Sequence, residues 1–195
     1  MKTQVPLREI KKERTKEALE KAALRLFEEK GYANTSVAAI AAEANVSRRT
    51  FFRYFRSKEG VVFANADDAG RALQNAIAEQ PAHKTPMEAF GDAATSIIRY
   101  ETSDPARTEQ ILARQRLFLE NVELRSRLTE IARVWRPYQA EALAKREGRS
   151  TPDEADLLYA AVGVSLVQTV LDEWASDGGK DDLAGRFERA FGLFA

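Results

Sequence analysis

The sequence predicts an all-α protein with a small helical unit at the amino-terminal end and a larger helical bundle after it. Residues that favour helices predominate, and apolar residues recur at intervals of three and four positions, the spacing of one helix face. No segment alternates apolar and polar residues in the manner of a half-buried strand. We place the domain boundary after residue 60, which gives domains at 1–60 and 61–195.

The first helix is predicted from about Arg14 to Lys30. Its apolar residues fall on one stripe, and Gly31 follows as the expected stop signal. The stripe consists of Ala18, Leu19, Ala22, Ala23, Leu26 and Phe27. We expect this stripe to cover the core of the small unit.

Two short helices joined by a tight turn follow. Thr35 or Ser36 can cap the second helix, and Ser47 can cap a third helix from Arg48 to Phe55. Asn45, between them, tolerates the left-handed backbone conformation that such a turn needs. The inward face of the second helix is predicted to comprise Val37, Ile40, Ala41 and Ala44.

Six more helices are predicted in the rest of the chain. Ser57 is placed to cap the first of them, and Pro137 is expected to kink a later one. The predicted ranges are 58–79, 87–102, 105–120, 121–147, 153–176 and 181–194. The apolar run at 157–171 contains polar residues such as Gln168 and is shorter than the ~20 residues of a membrane-spanning helix. We interpret it as a buried helix and expect no membrane segment.

Charge is distributed unevenly although the formal net charge is zero. Residues 1–60 carry 14 Lys and Arg against 8 Asp and Glu, whereas the remainder carries 16 against 22. A basic end on a neutral chain indicates one module that meets a polyanion. Charges also interrupt every apolar stretch near the amino terminus, so we expect no signal peptide and a cytoplasmic protein.

The third helix has two chemically different faces. At ~100° per residue, Phe51 and Phe55 share one face, whereas Arg49, Phe52, Arg53 and Arg56 share another. Two short helices joined by a turn, the second of them basic, form the helix-turn-helix that enters a DNA major groove. We place this motif at about 36–55. The alternative is a solvated cationic face with no ligand.

The position of each side chain along the third helix suggests which part of the DNA it contacts. Arg49 on the first turn can bind guanine through two hydrogen bonds, and Thr50 can reach a base edge or a phosphate. Arg53, Tyr54 and Lys58 are better placed for phosphates. Thr35 and Ser36 either bind phosphate or simply cap the second helix. The full set of expected DNA contacts is Thr35, Ser36, Ser47, Arg48, Arg49, Thr50, Phe52, Arg53, Tyr54 and Lys58.

Residues 31–60, GYANTSVAAIAAEANVSRRTFFRYFRSKEG, resemble the DNA-binding pattern of the TetR (tetracycline-repressor) family, and the likeness covers roughly residues 12–63. Two positions depart from the pattern: Phe52 stands where a tyrosine is common, and Arg49 where a glycine is common. The resemblance implies a bacterial regulator at the nucleoid that binds a near-palindromic double-stranded DNA operator as a homodimer. It also implies repression, relieved by a small hydrophobic ligand.

The larger domain carries no comparable motif. The apolar helix at 157–171 and a closing helix with Leu183, Phe187, Ala190 and Phe191 on one stripe predict a homodimer interface through the last two helices. Burial wholly inside one monomer is the alternative. The segment from Ile131 to Phe194 is similar to the carboxyl-terminal half of regulators of the mycofactocin-regulator kind. Candidate ligand-pocket residues, or ordinary core residues, are Phe90, Tyr100, Gln115, Phe118, Trp135, Tyr138 and Trp174.

The composition speaks against an enzyme. The chain has no Cys, a single histidine at His83 and no Gly-rich phosphate loop ahead of a helix. We therefore expect no catalytic residues, no metal site and no cofactor. An all-helical enzyme, or a protein-interaction module that does not bind DNA, remains the alternative.

Overall fold

The computed structural model describes residues 7–194, and regular structure in that range is entirely helical, which confirms the all-α prediction. The helices are α1 (Leu7–Lys30), α2 (Val37–Glu43), α3 (Arg48–Tyr54), α4 (Lys58–Val62), α5 (Ala66–Ala78), α6 (Pro86–Glu101), α7 (Pro105–Glu120), α8 (Val122–Arg146), α9 (Glu154–Ser176) and α10 (Leu183–Gly192). Helix α8 continues through Pro137.

The chain divides into two compact units between Ala64 and Asn65. The first unit contains α1–α4 and the second contains α5–α10. The prediction of one long helix over 58–79 is wrong, because α4 ends at Val62 and α5 begins at Ala66. Asn65 takes the N-cap position of α5 with non-helical backbone angles, φ −109° and ψ 7°, and its side chain makes no cap hydrogen bond to that helix.

Side-chain caps define most helix starts. Ser36, Ser47 and Ser57 accept hydrogen bonds from backbone N–H groups at the starts of α2, α3 and α4, which confirms the predicted caps and selects Ser36 over Thr35. Thr85 with Glu88, and Asp153 with Asp156, form capping boxes at α6 and α9. These bonds satisfy amides that a helix start leaves without partners.

The core of the first unit forms where α1 packs against α2 and α4, and where α2 packs against α3. Its buried side chains include Leu19, Leu26, Phe27, Ile40 and Phe51. One member of the predicted stripe is misplaced, since Ala18 is exposed. Burial of such apolar side chains contributes about 1.5–3 kcal/mol each to folding.

The core of the second unit is rich in aromatic side chains from α6, α9 and α10. The rings of Phe90 and Phe191 stack with their centroids 5.9 Å apart. Gly163 on α9 lets the ring of Phe90 approach the backbone, because a Cβ there would lie 2.7 Å from the ring. These contacts hold α6 between α9 and α10.

Helix α9 buries one side. Ala160, Gly163, Val170 and Trp174 are buried, whereas Leu158 on the opposite side is 61% exposed. The helix predicted to be apolar on nearly every side therefore packs within its own unit along one side and leaves apolar residues on another side exposed. Among the described residues, α9 is the one helix long and apolar enough to cross a membrane. It packs against α6, α7, α8 and α10, the setting of a core helix.

An ion pair locks the start of α9. The guanidinium of Arg149 donates hydrogen bonds of 2.6 and 2.8 Å to the two carboxylate oxygens of the buried Asp156. These bonds hold the pKa of Asp156 below its ordinary value. Asp153 joins the cluster, since its backbone N–H donates to the carboxylate of Asp156.

The Asp156 pair gives stability a pH dependence. Because its pKa is lowered on folding, its contribution is present above the ordinary carboxyl pKa and is lost as the pH falls through the lowered value. We expect Asp156→Asn to lower the melting temperature by several degrees at pH 7, with the difference from the wild type shrinking below pH 4. Thermal denaturation, monitored by circular dichroism at several pH values between 3 and 7, measures the melting temperatures of the wild type and the variant. A difference in melting temperature that is the same at every pH would contradict this account.

Candidate nucleic-acid interface

The turn between α2 and α3 has the backbone geometry that the sequence indicates. Asn45 has φ +55°, the left-handed region. The N–H of Val46 donates to the carbonyl of Ala41 at 2.9 Å, and that of Asn45 donates to Ala42 at 3.0 Å. This pattern of two bonds closes the carboxyl end of α2 and lets the chain enter α3 directly.

Two aromatic side chains orient helix α3. Phe51 and Phe55 are buried in the core of the first unit, with ring centroids 5.7 Å apart. Ser47 caps the helix by accepting from the N–H of Thr50 at 3.0 Å, and the two hydroxyl oxygens are also 3.0 Å apart. The buried face is thus fixed at both ends of a two-turn helix.

The opposite face of α3 is cationic and open. Arg48, Arg49 and Arg53 are exposed, and Phe52 is 49% exposed while its ring packs edge-on against Phe51 at 5.5 Å. The guanidinium of Arg53 lies 5.2 Å from the centre of the Tyr54 ring.

The charge on this segment has a single sign. Five cations, with no carboxylate among them, separate Glu43 from Glu59 in the sequence: Arg48, Arg49, Arg53, Arg56 and Lys58. Such a surface attracts a polyanion over a distance of about one Debye length, ~8 Å at physiological salt.

Two of the expected phosphate ligands have other partners. The hydroxyl of Thr35 is buried and donates to the carbonyls of Leu26 at 3.1 Å and Gly31 at 2.9 Å. The ammonium of Lys58 donates to three backbone carbonyls in residues 32–35. In this conformation neither group has a donor left for DNA, so the structure revises their expected roles. Ser36 is exposed, and its hydroxyl hydrogen remains available while its oxygen caps α2.

Comparison with known proteins agrees with this geometry. Residues 19–64 match the family model for bacterial regulatory proteins of the tetR family, and residues 84–195, more than half of the chain, match the MftR C-terminal domain. The chain belongs to the TetR family. It is a TetR-family transcriptional regulator, and its matched relatives are transcriptional regulators rather than enzymes.

Two known transcriptional regulators are similar to this chain in sequence. The regulator TcmR of Streptomyces glaucescens is 37% identical over 92 residues, which span 47% of this chain and 41% of TcmR. The proposed mycofactocin biosynthesis transcriptional regulator MftR of Mycobacterium tuberculosis is 26% identical over 155 residues, 80% of this chain and 77% of MftR. The chain thus matches less than half of TcmR and about three quarters of MftR.

Solved structures share the fold. FadR of Bacillus subtilis, in complex with stearoyl-CoA, has a TM-score of 0.62 at 20% identity, over 90% of this chain and 95% of FadR. A complex of SmeT with triclosan has a TM-score of 0.65 at 18% identity, over 92% of this chain and 88% of SmeT. Similarity at this level of identity shows that the fold is shared.

The seven residues predicted to line a ligand pocket do not surround one cavity, although the rings of Trp135 and Tyr138 are in contact with their centroids 5.1 Å apart. Tyr100 is 65% exposed beside Arg107, and Tyr138 is 43% exposed, so neither encloses a cavity. Phe90 and Trp174 are fully packed in the core of the second unit, and Phe118 is also buried. Bulk and aromatic character do not reveal which side of a helix a bundle covers, so these candidates are divided between the core and the surface.

The two remaining candidates lie in different places. Gln115 on α7 is buried and accepts a hydrogen bond from Gln168 on α9 at 3.4 Å. Trp135 on α8 borders an open groove of about 260 Å³ and donates from its indole N–H to Asp67 at 3.3 Å. The groove is lined by Asp67, Arg127, Glu130, Ile131, Arg133, Val134 and Trp135. Of these, the sequence interpretation included Trp135 alone.

The turn conformation generates a stability test. We expect Asn45→Val to destabilise the first unit by about 1–2 kcal/mol, because a β-branched residue is strained at positive φ, whereas Asn45→Gly retains stability. Chemical denaturation of the two variants and the wild type measures this difference. Equal stability of the valine and glycine variants would show that the turn does not require the left-handed conformation.

Proposed function

We propose that this TetR-family regulator binds a near-palindromic DNA operator as a homodimer through the exposed face of α3. The observation that carries the proposal is the half-exposed Phe52 set between arginines directly over the buried Phe51. In a major groove this ring can contact thymine methyls and sugars while the arginines beside it bind phosphates or base edges.

The side chains of α3 suit a division of roles. Arg49, on the first turn and unobstructed by any carboxylate in the surrounding segment, is suited to bidentate binding of guanine. Thr50 and Ser47 share a hydrogen bond between their hydroxyl groups, so either can donate to a base or phosphate by rotating its proton. Arg48, Arg53, Tyr54 and Ser36 are proposed to bind phosphates. We leave Thr35 and Lys58 out of the contact set.

A second copy of the chain is the proposed partner of α9 and α10. Along α9, Leu158 and Val162 are exposed at the i, i+4 spacing of one helix face, with the exposed Ser165 and Thr169 continuing it. Near the end of the chain, Leu193 is 82% exposed. Two-fold pairing through this face would present two α3 helices to half-sites about one helical turn, ~34 Å, apart.

We further propose that the regulator is a repressor released by a small hydrophobic ligand. FadR and SmeT, which share the fold, are known in complex with stearoyl-CoA and triclosan respectively. In this chain the polar pair of Gln115 and Gln168, set between apolar residues of α7 and α9, could orient such a ligand if the helices part. Release from DNA would be a shift between two conformations of the protein with different affinities for DNA. The regulator would act in the bacterial cytoplasm, at the nucleoid.

Removal of one base-reading side chain tests the DNA function. We expect Arg49→Ala to weaken binding to the chain's own upstream DNA by about 10- to 100-fold, because a bidentate base contact is worth about 1–3 kcal/mol. Binding to unrelated DNA should change much less. Fluorescence anisotropy at fixed salt measures both affinities.

The matched control for Arg49→Ala is Arg133→Ala, which removes the same side chain from an exposed position of the second unit. It should leave both affinities unchanged. If wild-type protein forms no salt-sensitive complex with its upstream DNA, the proposed binding to that DNA is contradicted and the alternatives, an interaction module or an enzyme, are favoured.

A charge placed on the exposed face of α9 tests the proposed dimer. Val162→Glu should convert a dimer to a monomer, because burying an unpaired carboxylate in an apolar interface costs several kcal/mol. Light scattering coupled to size exclusion measures the mass. Ala72→Glu, at an exposed position of α5, is the control and should remain dimeric. A wild-type monomer, or a dimer that tolerates Val162→Glu, would locate the interface elsewhere.

A further inference from the structure

The ammonium of Lys58 occupies a pocket made of backbone carbonyls. It donates hydrogen bonds to the carbonyl oxygens of Tyr32 at 2.5 Å, Ala33 at 3.2 Å and Thr35 at 3.1 Å. It also lies 4.3 Å from the centre of the Tyr32 ring. A lysine ammonium has three donors, and all three are used here.

These bonds connect the two ends of the helix-turn-helix. Residues 32–35 immediately precede α2, whereas Lys58 is the first residue of α4 and lies 26 positions after Tyr32. Helix α2, the turn at Asn45 and helix α3 all lie within the chain loop that the ammonium closes. Loop closure of this kind removes conformational freedom from everything inside the loop.

The same short segment is also bonded to α1. The hydroxyl of Thr35 donates to the carbonyls of Leu26 and Gly31 at the carboxyl end of α1. A positive charge near that end is favoured by the helix dipole, and Lys58 supplies one. Lys58, Thr35 and Tyr32, which we call the clasp, therefore join α1, the start of α2 and the start of α4 at one place.

We propose that Lys58 acts as a positioning residue that fixes the presentation of α3, and that it is not a ligand of the DNA phosphates. The inference rests on the proposed DNA-binding function and deepens it. Lys58 affects DNA binding by holding α3 in position through the clasp. Loss of its ammonium therefore reduces specific binding more than non-specific binding. The number of phosphates neutralised stays the same.

Two variants of the full chain, Lys58→Met and Lys58→Arg, separate positioning from phosphate binding. We expect each to lower the melting temperature by about 5 °C and to weaken specific DNA binding about tenfold. The planar guanidinium of arginine does not match three carbonyls converging on one ammonium nitrogen, so a conserved charge should not restore function. The slope of log affinity against log salt should remain that of the wild type.

A phosphate ligand would behave differently. Lys58→Arg would then bind DNA as the wild type does, and Lys58→Met would keep its melting temperature while its salt slope fell in magnitude by about 1. Either result overturns the proposal. Lys21→Met, which removes an exposed cation from the middle of α1, is the matched control and should retain the wild-type melting temperature.

A second pair of variants keeps the test valid if the Lys58 variants do not fold. Tyr32→Leu removes the ring beneath the ammonium and leaves every cation in place, so positioning predicts weaker specific binding at an unchanged salt slope. Tyr32→Phe keeps the ring and should bind specific DNA more tightly than Tyr32→Leu does, at the same salt slope. Unchanged specific binding by Tyr32→Leu would contradict the clasp. Wild-type protein without DNA binding would defeat the proposed function, while the melting temperatures would still test the clasp.

Discussion

Burial of Phe51 in the core of the first unit is the constraint on which the candidate interface depends. A helix has one rotational freedom about its axis, and fixing one side chain inward fixes the direction of all others at ~100° per residue. With Phe51 and Phe55 inside, Arg49, Phe52 and Arg53 must face solvent. The cationic face is therefore a consequence of apolar packing, and the sequence places arginines where packing leaves room for a partner.

The larger unit follows the same rule with a different outcome. Aromatic side chains of α6 and α10 and the small residues of α9 bury one side of α9, and the apolar residues on its other side remain uncovered. An uncovered apolar helix face of this length is typical of a subunit interface. Each unit thus contains a helix with one buried and one exposed face. The exposed face is cationic on α3 in the first unit and apolar on α9 in the second.

Local features were predictable from the sequence because they depend on neighbouring residues. The caps at Ser36, Ser47 and Ser57, the left-handed Asn45 and the inward Phe51 each follow from residue type and spacing within one or two turns of helix. The family resemblance added the expected function. These features account for nearly all of the geometry of α2 and α3.

Features that depend on distant residues were not predictable. The bonds of Lys58 to residues 32–35 cross more than twenty positions, and no periodic pattern signals them. The break between α4 and α5 and the exposure of Tyr100 depend on which helix faces the bundle covers. Residue type indicates the size and polarity of a side chain, but whether that side chain is exposed depends on tertiary packing.

Selection of bound DNA from a random pool tests the central claim, that the exposed face of α3 reads sequence as one half of a symmetric pair. The account predicts an enriched inverted repeat whose half-sites are about 10 base pairs apart, each with a fixed guanine within reach of Arg49. A pool that stays random after several rounds, or that yields a single asymmetric site, would contradict it.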